Sequence, residues 1–257
     1  MTVTVNRTTN HLIKYARGVV AIGRLNVDPV ILAIQRRFGE QAIDAALARP
    51  LILGHCDLLE RLTGDYEGSI TTLAKESTED LLAREKRDGA HSALSRMLVG
   101  ARTRMRDSFD ETEMRAFNLH GRTPTSYEGM LRYASDVVAL MDDNPRTAVD
   151  AFGATFDTQV MVAALRPTVE TYRQSLQDVA REQRETQQAR AGRTLSEEHF
   201  RDGLVNIASI VEAYLRMAGM DELADRVRPT LSRTSGEGES EAPVTPGPAP
   251  APAPVEV

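Results

Sequence analysis

The sequence predicts an all-α protein: a multi-helix bundle or array of about nine to eleven helices, ending in a disordered Pro/Ala-rich C-terminal tail. Three observations lead there. Only six of the twelve prolines precede the tail, at Pro29, Pro50, Pro124, Pro145, Pro167 and Pro229. Apolar residues recur at three- and four-residue spacing along most of the chain. Past the first five residues no stretch alternates with period two, and Asp88-Gly89 and Asp202-Gly203 sit inside helix-period patterns rather than between strands.

Taken in order, Leu12, Ala16, Val19 and Val20 predict an opening helix. Ile31, Ile34 and Phe38, then Ile43, Ala46 and Leu47, predict two short helices broken at Gly39. Leu58, Leu59, Leu62, Tyr66, Ile70 and Leu73 follow, with Gly64 and Gly68 as breakers. Ala90, Leu94, Met97, Leu98, Ala101 and Met105 form another stripe ending near Phe109. A short helix from Asp110 is expected to end at Leu119-His120-Gly121, with Gly121 in the left-handed cap.

The next stripe, Tyr127, Met130, Leu131, Ala134, Val137, Val138 and Met141, is the cleanest. Val138 is its expected buried centre. Thr125 or Ser126 caps it and Asn144-Pro145 ends it. Leu165, Val169, Tyr172, Leu176 and Val179 follow a 4-3-4-3 repeat of coiled-coil type, with a kink or helix start expected near Pro167. Arg181 to Arg190 is polar on every face and is expected to project beyond the core. Thr194 and Glu197 have capping-box spacing before a stripe of Phe200, Leu204, Ile207, Ala208, Val211, Tyr214, Leu215 and Ala218, which Gly219 stops. A last short helix spans Asp221 to Val227.

Residues 1–234 therefore form the helical body, with a candidate sub-boundary near residues 63–68, and residues 235–257 form the tail. The tail holds six prolines and four glutamates and no basic residue. Such a segment buries too little apolar surface to offset the entropy of ordering it. Without it the body has 31 basic and 33 acidic residues, which gives no strong attraction for nucleic acid or an anionic membrane. No apolar run of about 18 residues stands out, so no spanning helix is expected. The polar start MTVTVNRTTN is not followed by a signal-peptide core. A single cysteine, Cys56, excludes an internal disulfide and a multi-cysteine zinc site, and a reducing cytoplasm fits.

Chemistry-bearing motifs are sparse. Asp88 and His91 have i, i+3 spacing on a helix but stand alone as metal ligands, where a di-iron bundle needs two Glu-x-x-His pairs. His55 and Cys56 are adjacent, so on a helix they point about 100° apart and do not form a nucleophile–base pair. His120 and His199 sit beside predicted helix ends. No phosphate loop and no nucleophile elbow occurs. Arg96, Arg102, Arg104 and Arg106 fan around a helix with no shared face.

No catalytic, cofactor-binding or metal residue is therefore assigned, and no cofactor is expected. The expected function is a non-enzymatic structural, scaffold or adaptor protein acting through protein–protein contacts. Its expected partner is itself, as a homo-oligomer, with a second protein at the Pro/Ala tail and no membrane. An alternative is a ligand-binding helical domain or enzyme whose dispersed site is lined by Met97, Met105, Met130, Met141, Tyr127 and Tyr214. A third reading is nucleic-acid binding through a helix-turn-helix-like hairpin at Asp28–Ala48.

Overall fold

The computed structural model describes residues 7–149, 153, 155–230 and 233–234. Among them are six α-helices and one small hairpin. Their order is α1 (Arg7–Phe38), α2 (Ala45–Ser108), α3 (Glu111–Ala116), α4 (Tyr127–Asp143), β1 (Thr147–Val149), β2 (Thr155–Asp157), α5 (Thr158–Met217) and α6 (Asp221–Val227). The Ser235–Val257 tail lies outside the described residues.

Six helices replace the expected nine to eleven because residues read as breakers lie inside continuous helices. Gly64 and Gly68 fall within the 64 residues of α2. Pro167 and Thr194 fall within the 60 residues of α5. A helical glycine costs only about 1 kcal/mol relative to alanine, less than a buried apolar stripe contributes. Pro167 removes the hydrogen bond to the carbonyl of Ala163, but both residues are exposed, so water can take that carbonyl. Thr194 starts no helix, because the chain is already helical on either side of it. Gly39 does break the chain: its φ of 98° ends α1, a single 3-10 turn follows at Glu40–Ala42, and Asp44 then caps α2 through the Ala46 N–H at 2.9 Å.

The chain divides into two units. The first comprises Met1–Ile70 and Gly192–Val257, the second Thr71–Ala191. In the first unit Leu12, Ala16 and Val19 of α1 pack with Leu59 and Tyr66 of α2 and with Phe200, Leu204 and Val211 of α5. Tyr66 stacks on Phe200 with centroids 5.1 Å apart. Helix α6 closes this core through Ala224 and Val227, and Tyr15 Oη donates to the Val227 carbonyl at 2.7 Å. By length and composition, α1 could cross a membrane: an 18-residue window has a mean hydropathy of 1.3, contrary to the expectation that no such stretch exists. Of that window 39% is buried, and Val19, Val20, Val30 and Ile34 are core residues of this unit.

In the second unit Leu94, Leu98 and Met105 of α2 pack against Met130, Ala134, Val137 and Met141 of α4 and Val162, Leu165, Val169 and Tyr172 of α5. Val137 is fully buried and Val138 half-buried, so the centre of the α4 stripe lies one residue before its expected place. The hairpin pairs Ala148 with Phe156 in antiparallel register. It was not expected, since three-residue strands are too short to display an alternation. Phe156 packs edge-on to Phe109 at 5.6 Å, and Asp157 caps α5 through the Gln159 N–H at 2.8 Å. The Arg181–Arg190 segment does not simply project: Thr186 is buried, and its hydroxyl donates to the Glu76 carbonyl at 3.2 Å.

Two helix ends use the same left-handed motif. At the end of α5, Gly219 has φ 74°, Met220 N–H bonds the Leu215 carbonyl at 2.9 Å and Gly219 N–H bonds that of Arg216 at 3.0 Å. After α3 the left-handed residue is Asn118 (φ 59°), not the expected Gly121. Leu119 N–H reaches the Met114 carbonyl at 2.9 Å, and burying Leu119 beside Met114 fixes the turn there. At the other end of α3 the Asp110 carboxylate accepts the Glu113 N–H at 2.9 Å. Asp110→Ala is therefore expected to cost about 1 kcal/mol. Chemical denaturation of the variant should show a lower midpoint at unchanged slope.

Candidate functional site

The first candidate is a polar cluster in the second unit. Arg87, Asp88 and His91 on α2 meet Tyr127 at the start of α4 and Tyr172 on α5. The Arg87 guanidinium lies 3.9 Å from the Tyr127 ring centroid and donates to Asp88 at 2.8 Å. Tyr127 Oη donates to the same carboxylate at 2.8 Å. Tyr172 Oη donates to the Tyr127 carbonyl at 3.0 Å, so His91 Nδ1, 3.0 Å away, is the donor to that phenol. His91 Nδ1 thus carries a hydrogen.

Hydrogen bonds from Arg87 and Tyr127 hold the Asp88 carboxyl below its ordinary range, and accepting from Tyr127 is what raises that phenol. Burial pushes the Tyr172 phenol up to about 12. The phenols stay protonated and the carboxylate ionised, so the cluster ties three helices together and presents no activated nucleophile. Asp88 and His91 serve different partners instead of facing a common ligand. The helical spacing places them on α2, but Arg87, Tyr127 and Tyr172 join them only through the fold.

The second candidate is a cleft of about 370 Å³ in the same unit. Met97, Gly100, Ala101 and Arg104 of α2 form one side, and Thr155 to Asp157 with Val160, Met161 and Ala164 form the other. Of the six methionines and tyrosines expected to line a site, only Met97 does so. Met105, Met130 and Met141 are core, Tyr127 belongs to the polar cluster, and Tyr214 packs in the first unit. Met161 and Phe156 were not singled out, because they approach Met97 only through the unrecognised hairpin and the early start of α5.

A third group, Glu76, Glu182 and Glu185, places carboxylate oxygens within 4.8 Å of one another. Lys75 lies 3.8 Å from Glu76 and Arg181 3.1 Å from Glu182, so the chain's own cations already offset this charge.

In the first unit, Cys56 is fully buried and burial pushes its thiol up, away from nucleophilic use. His55 is half-buried, with Nδ1 2.8 Å from the Leu51 carbonyl one turn back, so the pair is split as the helix requires. His120 and His199 are exposed. Asp28–Ala48 is not a separate small hairpin; it is the end of α1, the 3-10 turn and the start of α2. Of the four arginines, Arg102 donates to the Leu119 carbonyl, Thr123 and Tyr133, and so secures the chain between α3 and α4. Arg96, Arg104 and Arg106 are exposed.

The first unit also exposes large apolar side chains in register. On α2, Leu47, Leu51 and Leu58 are 71%, 51% and 37% exposed. At about 100° per residue they fall within roughly 40° of arc. On α1, Leu25 and Leu32 are 78% and 53% exposed and one heptad apart. The chain matches no protein-family model, no curated protein and no solved structure.

Proposed function

We propose that this protein is a non-enzymatic helical structural, scaffold or adaptor component that acts through protein–protein contacts, with a second copy of itself as the first partner. The observation that carries the reading is the exposed leucine line Leu47, Leu51 and Leu58 on α2. Large apolar residues at i, i+4 and i+11 form a seam of the kind that pairs with another helix in knobs-into-holes geometry. A two-fold axis lets the same line on two copies cover itself, which is the commonest way a soluble chain hides such a surface. Leu25 and Leu32 on α1 extend the exposed apolar area of this unit.

Sedimentation of the full chain between about 1 and 100 µM tests this. A discrete oligomer is expected, and Leu47→Glu with Leu51→Glu should convert it to monomer while the circular dichroism spectrum stays unchanged, since both positions face solvent within the single chain. A strictly monomeric unmodified chain, or an oligomer indifferent to the double substitution, would overturn the proposal.

A further inference from the structure

The cleft of the second unit sets an apolar lining beside a cation that has no hydrogen bond or ion pair among the described residues. Met97, Ala101, Phe156 and Met161 supply the apolar surface, and Arg104 is the only basic residue among its described lining. No ion pair joins Arg104 to Asp157 among the described residues; the Asp157 carboxylate caps α5 through the Gln159 N–H at 2.8 Å and keeps its charge. Thr168 Oγ1 donates to the Met97 sulfur at 3.1 Å and so positions that thioether. A volume of about 370 Å³ is at the small end of the range for ligand pockets.

We propose that this cleft binds a small amphiphilic carboxylate, with its alkyl body on Met97, Phe156 and Met161 and its carboxylate on the Arg104 guanidinium. The planar donor fork of arginine matches the two oxygens of a carboxylate. One guanidinium beside the Asp157 carboxylate suits a single negative charge; a dianionic head would leave its second charge unpaired next to an acid. Unbranched methionine side chains adjust to an alkyl chain without a fixed shape. This inference is independent of the self-assembly reading, which rests on the other unit.

Titration of the full-length chain, labelled at the methionine methyl groups, with sodium octanoate tests it by NMR. Saturable shifts are expected at Met97 and Met161, and Met217 and Met220 of the first unit should stay still. Arg104→Gln should weaken binding about tenfold, equivalent to about 1.4 kcal/mol, and octan-1-ol should bind the unmodified chain comparably weakly. Gly100→Leu should abolish the shifts without lowering the melting temperature, because Gly100 borders the cleft and a side chain started there meets no atom within 4 Å. The proposal is overturned by any of three outcomes: no saturable shift at Met97 and Met161, equal binding of octanoate and octanol with no effect of Arg104→Gln, or matching shifts at Met217 and Met220.

Discussion

Val137→Asp is expected to remove most of the folded population or to lower the melting temperature by about 10 °C or more. Val137 is fully buried on α4 within the core formed by Leu94, Leu98, Met130, Met141 and Leu165. An aspartate there must either desolvate a charge or take up a proton, and it also loses the packing of the valine methyls. A cost of about 4 kcal/mol is a large share of the roughly 5–15 kcal/mol that holds a domain together. At about 2–4 °C per kcal/mol for a chain of this size, the shift is large enough for a thermal scan by circular dichroism. Val138→Asp is the informative companion. Val138 is half-buried, so its aspartate can reach water and the loss should be much smaller. Equal effects at the two positions would mean that α4 is rotated relative to the core described above.

Gly23→Ala should destabilise the first unit by about 2 kcal/mol, although alanine is the better helix former by about 1 kcal/mol. A Cβ on Gly23 would sit 2.7 Å from Cys56 Sγ, with Val211 methyls at 3.7 and 3.8 Å behind it. Cys56 is fully buried, so its sulfur must shift within the core to make room. Cys56→Ala removes the obstructing sulfur, so the double variant should recover most of the loss, and the coupling measures the clash directly. Gly64→Ala and Gly68→Ala supply the opposite sign: a Cβ on either meets nothing within 4 Å, and each should stabilise by up to about 1 kcal/mol. A stabilising Gly23→Ala would show that α1 and α2 are not in close approach at this point.

These glycines also show where the sequence was readable. Helical periodicity is written residue by residue, so the stripe of the second half of α5 reappears as core, with Phe200, Leu204, Ile207, Val211 and Leu215 all buried, and four of the seven α4 stripe residues do so too: Met130, Ala134, Val137 and Met141. Helix length is not written that way. Whether Gly64 ends a helix depends on whether neighbouring turns are held by packing, and that is decided by residues far along the chain. A Cβ on Gly23 would press against a sulfur, whereas one on Gly64 would meet open space, a difference that no local sequence pattern carries. The site suffered for the same reason. Met97 was visible as a member of a stripe, but Phe156 and Met161 reach it through a three-residue strand and a helix that begins seven residues before Leu165. The exposed line of Leu47, Leu51 and Leu58 was hidden because spacing reports which residues share a face, not whether that face is covered.

Chain order has a consequence for how the molecule is made. In sequence the second unit, residues 71–191, is inserted between the two parts of the first, the later of which begins only at Gly192. During vectorial synthesis at about 5–20 residues per second, roughly 6 to 24 seconds pass between the emergence of Ile70 and that of Gly192. Throughout that interval the faces of α1 and α2 that carry Leu12, Val19, Leu59 and Tyr66 lack the Phe200–Leu215 surface that covers them in the finished protein. The nascent chain must therefore keep an apolar helical pair uncommitted while an entire unit is made after it.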